Sequence, residues 1–243
     1  LMMYITANKH TTILQDYLML IEINKIQYKK LERVTTAEGR KYVGDDNVPV
    51  PSVTTVLDKT SDKTALIAWR KRVGDAEANR VSKESAGLGT KVHNALEKYI
   101  LSEDYEIKGN NFVSILARDM TNLMISEGFG NVDEVWGTEV GLIAPGLYAG
   151  TTDCVGIHDG EEAIIDFKTS KKIKKEEWIQ DYYLQCCAYA LAHNEMYGTN
   201  IRKCVILMVS RDVAFKQYVI QGDQFDEYCD KWAERLSEYY ASL

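Results

Sequence analysis

The alternation of apolar and polar positions is clearest between Gly150 and Ser170. Two β-branched, apolar runs there flank Asp159-Gly160. An Asp-Gly pair in that setting predicts a two-residue hairpin turn. With residues 159 and 160 as the loop, His158 pairs with Glu161, and the same count sets Asp153 opposite Asp166. Earlier in the chain, Ile26 to Val34 alternates, and Arg40 to Val43 follows a Glu38-Gly39 turn, which predicts a first hairpin. Thr11 to Ile23 reads as a short helix or irregular cover. Asp45 to Pro51 reads as a loop, and Pro49 and Pro51 make Val48 to Ser52 extended and stiff.

Helical spacing predicts the remaining cover. A helix starts at Ser52-Val53-Thr54-Thr55 and runs through Leu57. Ala65 to Val73 forms a basic amphipathic helix with Trp69 on its apolar stripe, a core position. Asp75 to Lys83 is helical, Ala86 to Gly89 breaks it, and Thr90 caps a further helix to Ile100. That helix buries Val92, Leu96, Tyr99 and Ile100. Phe112 to Glu127 is a helix stopped by Gly128. Val132 to Ile143 is a strand, turned by Pro145-Gly146 into the central hairpin, where Gly150 allows close backbone approach by a ligand. A long helix follows at Glu176 to Tyr197, then strands at Lys203 to Ser210 and Ala214 to Ile220, and a closing helix at Asp223 to Tyr240. The first of those strands is continuously apolar, as a strand buried on both faces would be. This order predicts an α/β fold with a mixed central β-sheet flanked by helices.

The predicted register has a chemical consequence. Asp153 and Asp166 form a non-hydrogen-bonded pair, roughly 4.5 Å apart at Cα. Like charges so placed repel. They must share a proton, diverge in pKa or hold a cation. Lys168 lies two residues beyond Asp166 and so on the same face. Two acids and an amine suit a divalent-metal centre with a proton-handling partner. The bland alternative is a solvated surface hairpin, against which the apolar Ile164-Ile165 argues. Other candidates are ambiguous by pattern. His93 and Glu97 share a helix face, yet a lone helical histidine is usually structural. Ser52-x-Thr54 offers backbone N–H groups to a phosphate or is a plain N-cap. Gln185 and Tyr189 share a face and suit either site or packing. Glu139 is either near the site or an edge-strand charge.

Composition narrows the class. With 243 residues, 45% hydrophobic and 27% charged, the chain fits one globular domain. No apolar run approaches the ~20 residues that span a bilayer, and the start lacks the pattern of a secretory signal. An intracellular, cytoplasmic setting is therefore expected. The net charge of −7 does not advertise nucleic-acid binding, but local fields outweigh totals. Arg70-Lys71-Arg72 is one basic cluster; Lys168, Lys171, Lys172, Lys174 and Lys175 form another beside the acidic pair. Each is a solvated surface or a grip on phosphates. The five cysteines, odd in number and without metal-ligand spacing, read as reduced thiols. No glycine-rich phosphate loop or Ser/His/Asp arrangement appears.

Asp153 followed by Ile165-Asp166-Phe167-Lys168 resembles the signature of the PD-(D/E)XK nucleases, in its RecB-like branch. Gly89-Thr90-Lys91-Val92-His93 is similar to that branch's upstream histidine motif, and Gln185-Cys186-Cys187-Ala188-Tyr189 to its downstream Gln-x-x-x-Tyr motif. With Pro51-Ser52-Val53-Thr54-Thr55-Val56-Leu57, the set resembles exonucleases of the phage and mitochondrial genome maintenance kind, over roughly residues 49 to 220. The resemblance implies a restriction-endonuclease-like core over residues 86–243, capped by an N-terminal β-hairpin and helices over 1–85, in a single nuclease domain. It implies a Mg²⁺- or Mn²⁺-dependent exonuclease acting on DNA, single-stranded or with free ends, in replication, repair or recombination. Single-strand-annealing or replication proteins are the partners it suggests, in a bacterial or phage-infected cell; from the hydropathy, no membrane is expected. Asp153, Asp166 and Lys168 would be catalytic. His93, Asp153, Asp166 and the Phe167 carbonyl would hold metal. Ser52, Thr54, Arg70, Thr169, Gln185 and Tyr189 would contact substrate, with Glu97 and Glu139 behind the metal ligands. Some relatives carry an iron–sulfur cluster on cysteines, one of them upstream of the core. Nothing before Cys154 is cysteine, so no cluster is expected. The alternatives are an endonuclease of the same fold, or a non-catalytic nucleic-acid-binding protein.

Overall fold

The computed structural model describes residues 26–36 and 39–243. The expected cover at Thr11 to Ile23 lies outside them. The described chain is mixed α/β, with a five-stranded mixed sheet, a separate three-stranded antiparallel sheet and flanking helices.

The small sheet comprises β1 (Glu32–Thr36), β2 (Gly39–Val43) and β3 (Pro49–Pro51). β1 and β2 form the expected hairpin, paired from Glu32↔Val43 to Thr36↔Gly39. Ile26 to Leu31 lies outside the strand. The stiff proline segment serves as the third strand, since it needs few donors at that edge. This sheet docks on the large one through Tyr42, Val50, Ile143 and Ala149. Tyr42 Oη lies 3.1 Å from Thr151 Oγ1.

Five helices precede or follow the central hairpin's neighbours. They are α1 (Val53–Thr60), α2 (Thr64–Val73), α3 (Asp75–Ile100), α4 (Phe112–Gly128) and α5 (Gln180–Tyr197). A closing helix, α6, covers Asp223–Ala241. The strands of the large sheet are β4 (Val132–Ala144), β5 (Tyr148–His158), β6 (Glu161–Ser170), β7 (Lys203–Ser210) and β8 (Phe215–Gln221), in that spatial order. All neighbours are antiparallel except β6 and β7, which are parallel and joined through α5.

Alternate residues of β6 face opposite layers. Ile164 joins Val155, Ile206 and the side chains of α1, α5 and α6. Ile165 and Phe167 join Val205, Leu207 and those of α3 and α4. All eight residues of β7 are buried, as its apolar run predicts. Arg235 ties the first layer together: Nε donates to Thr60 Oγ1 at 2.6 Å, Nη1 to Asp181 Oδ1 at 3.1 Å and Nη2 to the Leu57 carbonyl at 3.0 Å.

Three expectations need correction. First, α3 is one helix of 26 residues; Gly87 and Gly89 do not break it, and Thr90 is interior. A helical glycine costs about 1 kcal/mol against alanine, and the buried stripe of Leu88, Val92, Ala95 and Leu96 outweighs that. Second, α2 buries no residue at all, and Trp69 is only half-buried. Leu66 and Ile67 are 50% and 62% exposed, so the stripe does not face a core. Third, the long helix begins at Gln180, after a 3₁₀ turn over Glu176–Trp178.

His193 on α5 offers a test of the packing. It is fully buried, with Nε2 3.1 Å from Tyr28 Oη and Nδ1 2.7 Å from Thr199 Oγ1. Burial pushes its imidazole down to about 4. The folded value lies below the unfolded one of ~6.5. Its contribution is therefore complete above pH ~6.5 and drains as pH falls towards 4, by about 3 kcal/mol at most. Urea midpoints measured from pH 7 to 4 should fall less steeply in His193→Gln than in the unaltered chain. Parallel curves would show that this histidine is not the acid-sensitive group.

Candidate active site

The site is built where the β5–β6 ladder stops. Asp159 and Gly160 both adopt left-handed backbone, with φ of 47° and 75°, as a type I′ turn demands. The pairing then runs from His158↔Glu161 to Cys154↔Ile165, the predicted register. Asp153 and Asp166 come next in that count. By the alternation of the ladder, the Phe167 N–H would next reach for the Thr152 carbonyl. It donates instead to Asp153 Oδ2 at 2.7 Å. A side-chain carboxylate thus takes a place that backbone would fill, and the sheet opens at that point.

Each layer brings a group to the opening. From one side comes α3. A Cβ on Gly89 would lie 3.2 Å from Thr169 Oγ1, so glycine lets the helix approach β6 closely. One turn further on, His93 Nδ1 lies 3.3 Å from Asp153 Oδ1. That spacing is the physical content of the Gly-Thr-x-x-His motif. From the other side comes α5. Lys168 Nζ donates to Gln185 Oε1 at 3.2 Å, and Gln185 Nε2 donates to Tyr189 Oη at 3.2 Å. Tyr189 is seated against Gly150, where a Cβ would fall 2.7 Å from its ring. The room at Gly150 is therefore taken by Tyr189 and not by a ligand.

Asp166 is buried, 1% exposed. Its Oδ2 lies 2.6 Å from Lys168 Nζ, an ion pair outside the angles of a well-directed hydrogen bond. Burial raises the Asp166 carboxyl to about 6, and the Lys168 charge offsets only part of that. For Lys168, burial works to lower the ammonium's pKa, but the charges of Asp166 and Asp153 outweigh it and hold it above the usual lysine range. For Asp153, burial works upward; the hydrogen bond and charge of His93, the charge of Lys168 and the Phe167 amide outweigh it, leaving the carboxyl low. His93 is raised, because Asp153 outweighs its burial. The two aspartates thus diverge, one of the outcomes expected for close acids.

Glu139 completes the arrangement. Thr138↔Cys154 and Val140↔Thr152 flank it, so it lies across from Asp153 on the edge strand β4. Its φ of 50° is left-handed, which is strained for a residue with a long side chain. Ligand atoms of His93, Glu139 and Asp153 all lie within 4.8 Å of one another. Glu139 is exposed as a residue, yet partial desolvation, then the charges of Asp153 and Glu97, raise its carboxyl above the usual range. One imidazole nitrogen and two carboxylates form a donor set that fits a divalent cation. Asp166, turned to Lys168, is not one of this group of three.

The other candidates are placed variously. Ser52 caps α1, accepting from Thr55 N at 3.0 Å, and is only 2% exposed. Its hydroxyl also lies 3.0 Å from Thr54 Oγ1 and 2.8 Å from Thr55 Oγ1. The cap reading therefore describes Ser52, while Thr54 is exposed. Arg70 is turned to Asp75, at 2.9 Å, and to Asn79, at 2.8 Å, stapling α2 to α3. Thr169 is half-buried against Gly89. Glu97 is half-buried one turn beyond His93. One neighbour had no signal in the sequence. Tyr182, three residues before Gln185, has its ring centre 4.9 Å from Lys168 Nζ.

With this geometry in view, the chain can be set beside known proteins. No protein-family model matches it. It is 28% identical to human mitochondrial genome maintenance exonuclease 1 over 211 residues, covering 78% of this chain and 58% of that protein. The chain resembles mitochondrial genome maintenance exonuclease 1. The same exonuclease of Xenopus tropicalis is 25% identical over 79% of this chain and 58% of its own length. A crystal structure from Eubacterium rectale, titled as a candidate exonuclease, aligns with a TM-score of 0.44 at 12% identity, over 64% of this chain and 65% of that one. The likeness to these exonucleases thus extends beyond the four motifs, over about four fifths of this chain. The chain nevertheless spans under three fifths of the length of the mitochondrial genome maintenance exonucleases it matches.

All five cysteines are free thiols. Among the described residues, no helix is long and apolar enough to cross a membrane.

The strain at Glu139 is testable without an activity assay. A left-handed non-glycine residue stores about 1–3 kcal/mol, more than the ~0.5–1 kcal/mol of chain entropy that glycine adds. Glu139→Gly should therefore raise the thermal midpoint, and Glu139→Ala should not. If both variants melt alike, the backbone at that position is not strained.

Proposed function

We propose that the chain is a metal-dependent exonuclease that hydrolyses phosphodiester bonds at DNA ends. The observation that carries this reading is the meeting of two groups at the mouth of the β5–β6 ladder: His93, Glu139 and Asp153 on one side, and the buried Asp166–Lys168 pair on the other. The names of the relatives support an action on ends. Their genome-maintenance role supports a place in replication, repair or recombination.

The donor set fits Mg²⁺ or Mn²⁺. His93, Glu139 and Asp153 would hold the ion, with Asp166 and the Phe167 carbonyl alongside as the nuclease motif implies. When bound, it would supply Lewis acidity to the scissile phosphate and a more acidic water. Imidazole among the ligands favours Mn²⁺ over Mg²⁺. The rest belongs to the protein. Lys168 is held charged by the two aspartates, which suits it to orient the attacking water and to offset charge on the phosphorane-like transition state. Work as a general base would need its pKa to fall, against the field of those acids. Gln185 fixes the ammonium, Tyr189 fixes Gln185, and Gly150 leaves room for Tyr189. We read Thr54 and Thr169 as substrate contacts; Ser52 and Arg70 would have to leave their present partners. We take residues 1–243 as one nuclease domain, with the small sheet and first helices as its cap.

Asp166→Asn and Lys168→Ala should each lower the rate of DNA degradation by at least about a hundredfold. Near-normal rates in both would remove the proposed centre. Chelation should abolish the activity and Mn²⁺ should restore it. A closed circular substrate separates the main alternative: an exonuclease leaves it intact, whereas an endonuclease of the same fold would cut it. A non-catalytic binder would shift labelled DNA while degrading none.

A further inference from the structure

The segment between β6 and α5 joins the two elements that hold Lys168 and Gln185. It carries Lys171, Lys172, Lys174 and Lys175, and ends in the 3₁₀ turn at Trp178. Its backbone is fastened along its length. Ser170 Oγ donates to the Lys172 carbonyl at 2.7 Å. Tyr218 Oη donates to the Lys174 carbonyl. Gln180 Nε2 donates to the Glu176 carbonyl at 3.0 Å, and Tyr183 Oη to Glu176 Oε1 at 3.1 Å. Ile179 is fully buried. A segment so well anchored could have folded its largest apolar side chain inward. Instead Trp178 is 63% exposed.

Contacts lead from the candidate site to Lys174, and Lys175, its neighbour in sequence, reaches that ring. Lys168 Nζ lies 4.9 Å from the centre of the Tyr182 ring. Lys174 Nζ donates to Tyr182 Oη at 2.6 Å. Lys175, next in sequence, has its Nζ 5.5 Å from the centre of the Trp178 ring. Glu177 Oε1 lies 3.6 Å from that same amine, but both groups are about two-thirds exposed, so the pair is weak. Amines alternating with aromatic rings match the alternation of phosphate and base along a single strand. Stacking of a base on an aromatic face tolerates any sequence, because every base has one.

We infer that Trp178 is a base-stacking platform for single-stranded DNA next to the candidate active site, with Lys174 and Lys175 holding the phosphates on either side of the stacked nucleotide. This rests on the nuclease reading and deepens it, since it assigns where the strand lies beside the Lys168 end of the site. A polynucleotide is favoured over an apolar protein surface because an amine, Lys175, stands over the exposed ring and Lys171, Lys172 and Lys174 belong to the same segment.

The test uses Asp166→Asn protein in chelator, so that binding is read without cutting, and compares Trp178→Ala added to that background. The probes are a labelled oligothymidylate and an oligonucleotide of equal length made wholly of abasic sites. On the oligothymidylate, Trp178→Ala should weaken binding about tenfold, the effect of one lost stack. On the abasic strand the same change should do little, since the phosphates remain and the base is gone. Equal losses on both strands, or none on either, would overturn the platform while leaving the nuclease proposal standing. If the unaltered protein neither bound nor cut any oligonucleotide, the nuclease reading would fall first and the platform with it.

Discussion

The structure depends on one substitution in a hydrogen-bond ladder. At Phe167 the amide that would pair with a neighbouring carbonyl is taken by the Asp153 carboxylate. Had backbone filled that place, β5 and β6 would continue as a closed pair and Asp153 would face outward from an intact sheet. Because the carboxylate fills it, the amide stays satisfied, as a buried donor must, and the sheet gains an opening with a fixed negative group at its edge. His93 can reach that group from α3, and Glu139 faces it from β4. The Phe167 side chain meanwhile stays in the core beneath α3 and α4. One residue thus anchors the opening with its amide and the layer with its ring.

The second acid is handled in a different way. Asp166 is buried and would be costly as a lone charge. Lys168 neutralises it at 2.6 Å, and Lys168 is itself held through Gln185 and Tyr189. Such a pair seldom gains stability over apolar side chains of equal volume, because desolvation offsets attraction. Its presence directly after the buried apolar run Ala163 to Ile165 of β6 therefore points to chemistry rather than folding. The two aspartates face each other in the hairpin count, yet they differ in partners and in pKa direction. Position across the turn makes them neighbours; their separate partners make them unlike.

Much of this was legible in the chain. Asp159-Gly160 specifies its turn through two left-handed residues, and from that turn the register of Asp153 and Asp166 follows by counting. What could not be read was anything decided by the distance between layers. Gly89 looks like a helix breaker in a one-dimensional pattern. In three dimensions it is the contact that lets α3 close on Thr169, and tertiary burial overrides its poor propensity. Trp69 sits on an apolar stripe, but a stripe says nothing about whether a layer lies opposite, and α2 buries none of its residues. Glu139 was ambiguous because an edge strand normally carries such charges to water; only its left-handed backbone and its place across from Asp153 show it turned to the site.

Four local departures from ideal structure meet at one place. A left-handed glutamate, a glycine inside a long helix, a buried charge pair and an interrupted ladder would each lower stability wherever they stood. Here all four lie around the open end of the β5–β6 hairpin, while the far end of that hairpin closes with a regular turn and an unbroken register. Sequences that fold well agree with themselves at every level except where function requires otherwise. Four such conflicts meeting at one spot argue for the site independently of any likeness in sequence.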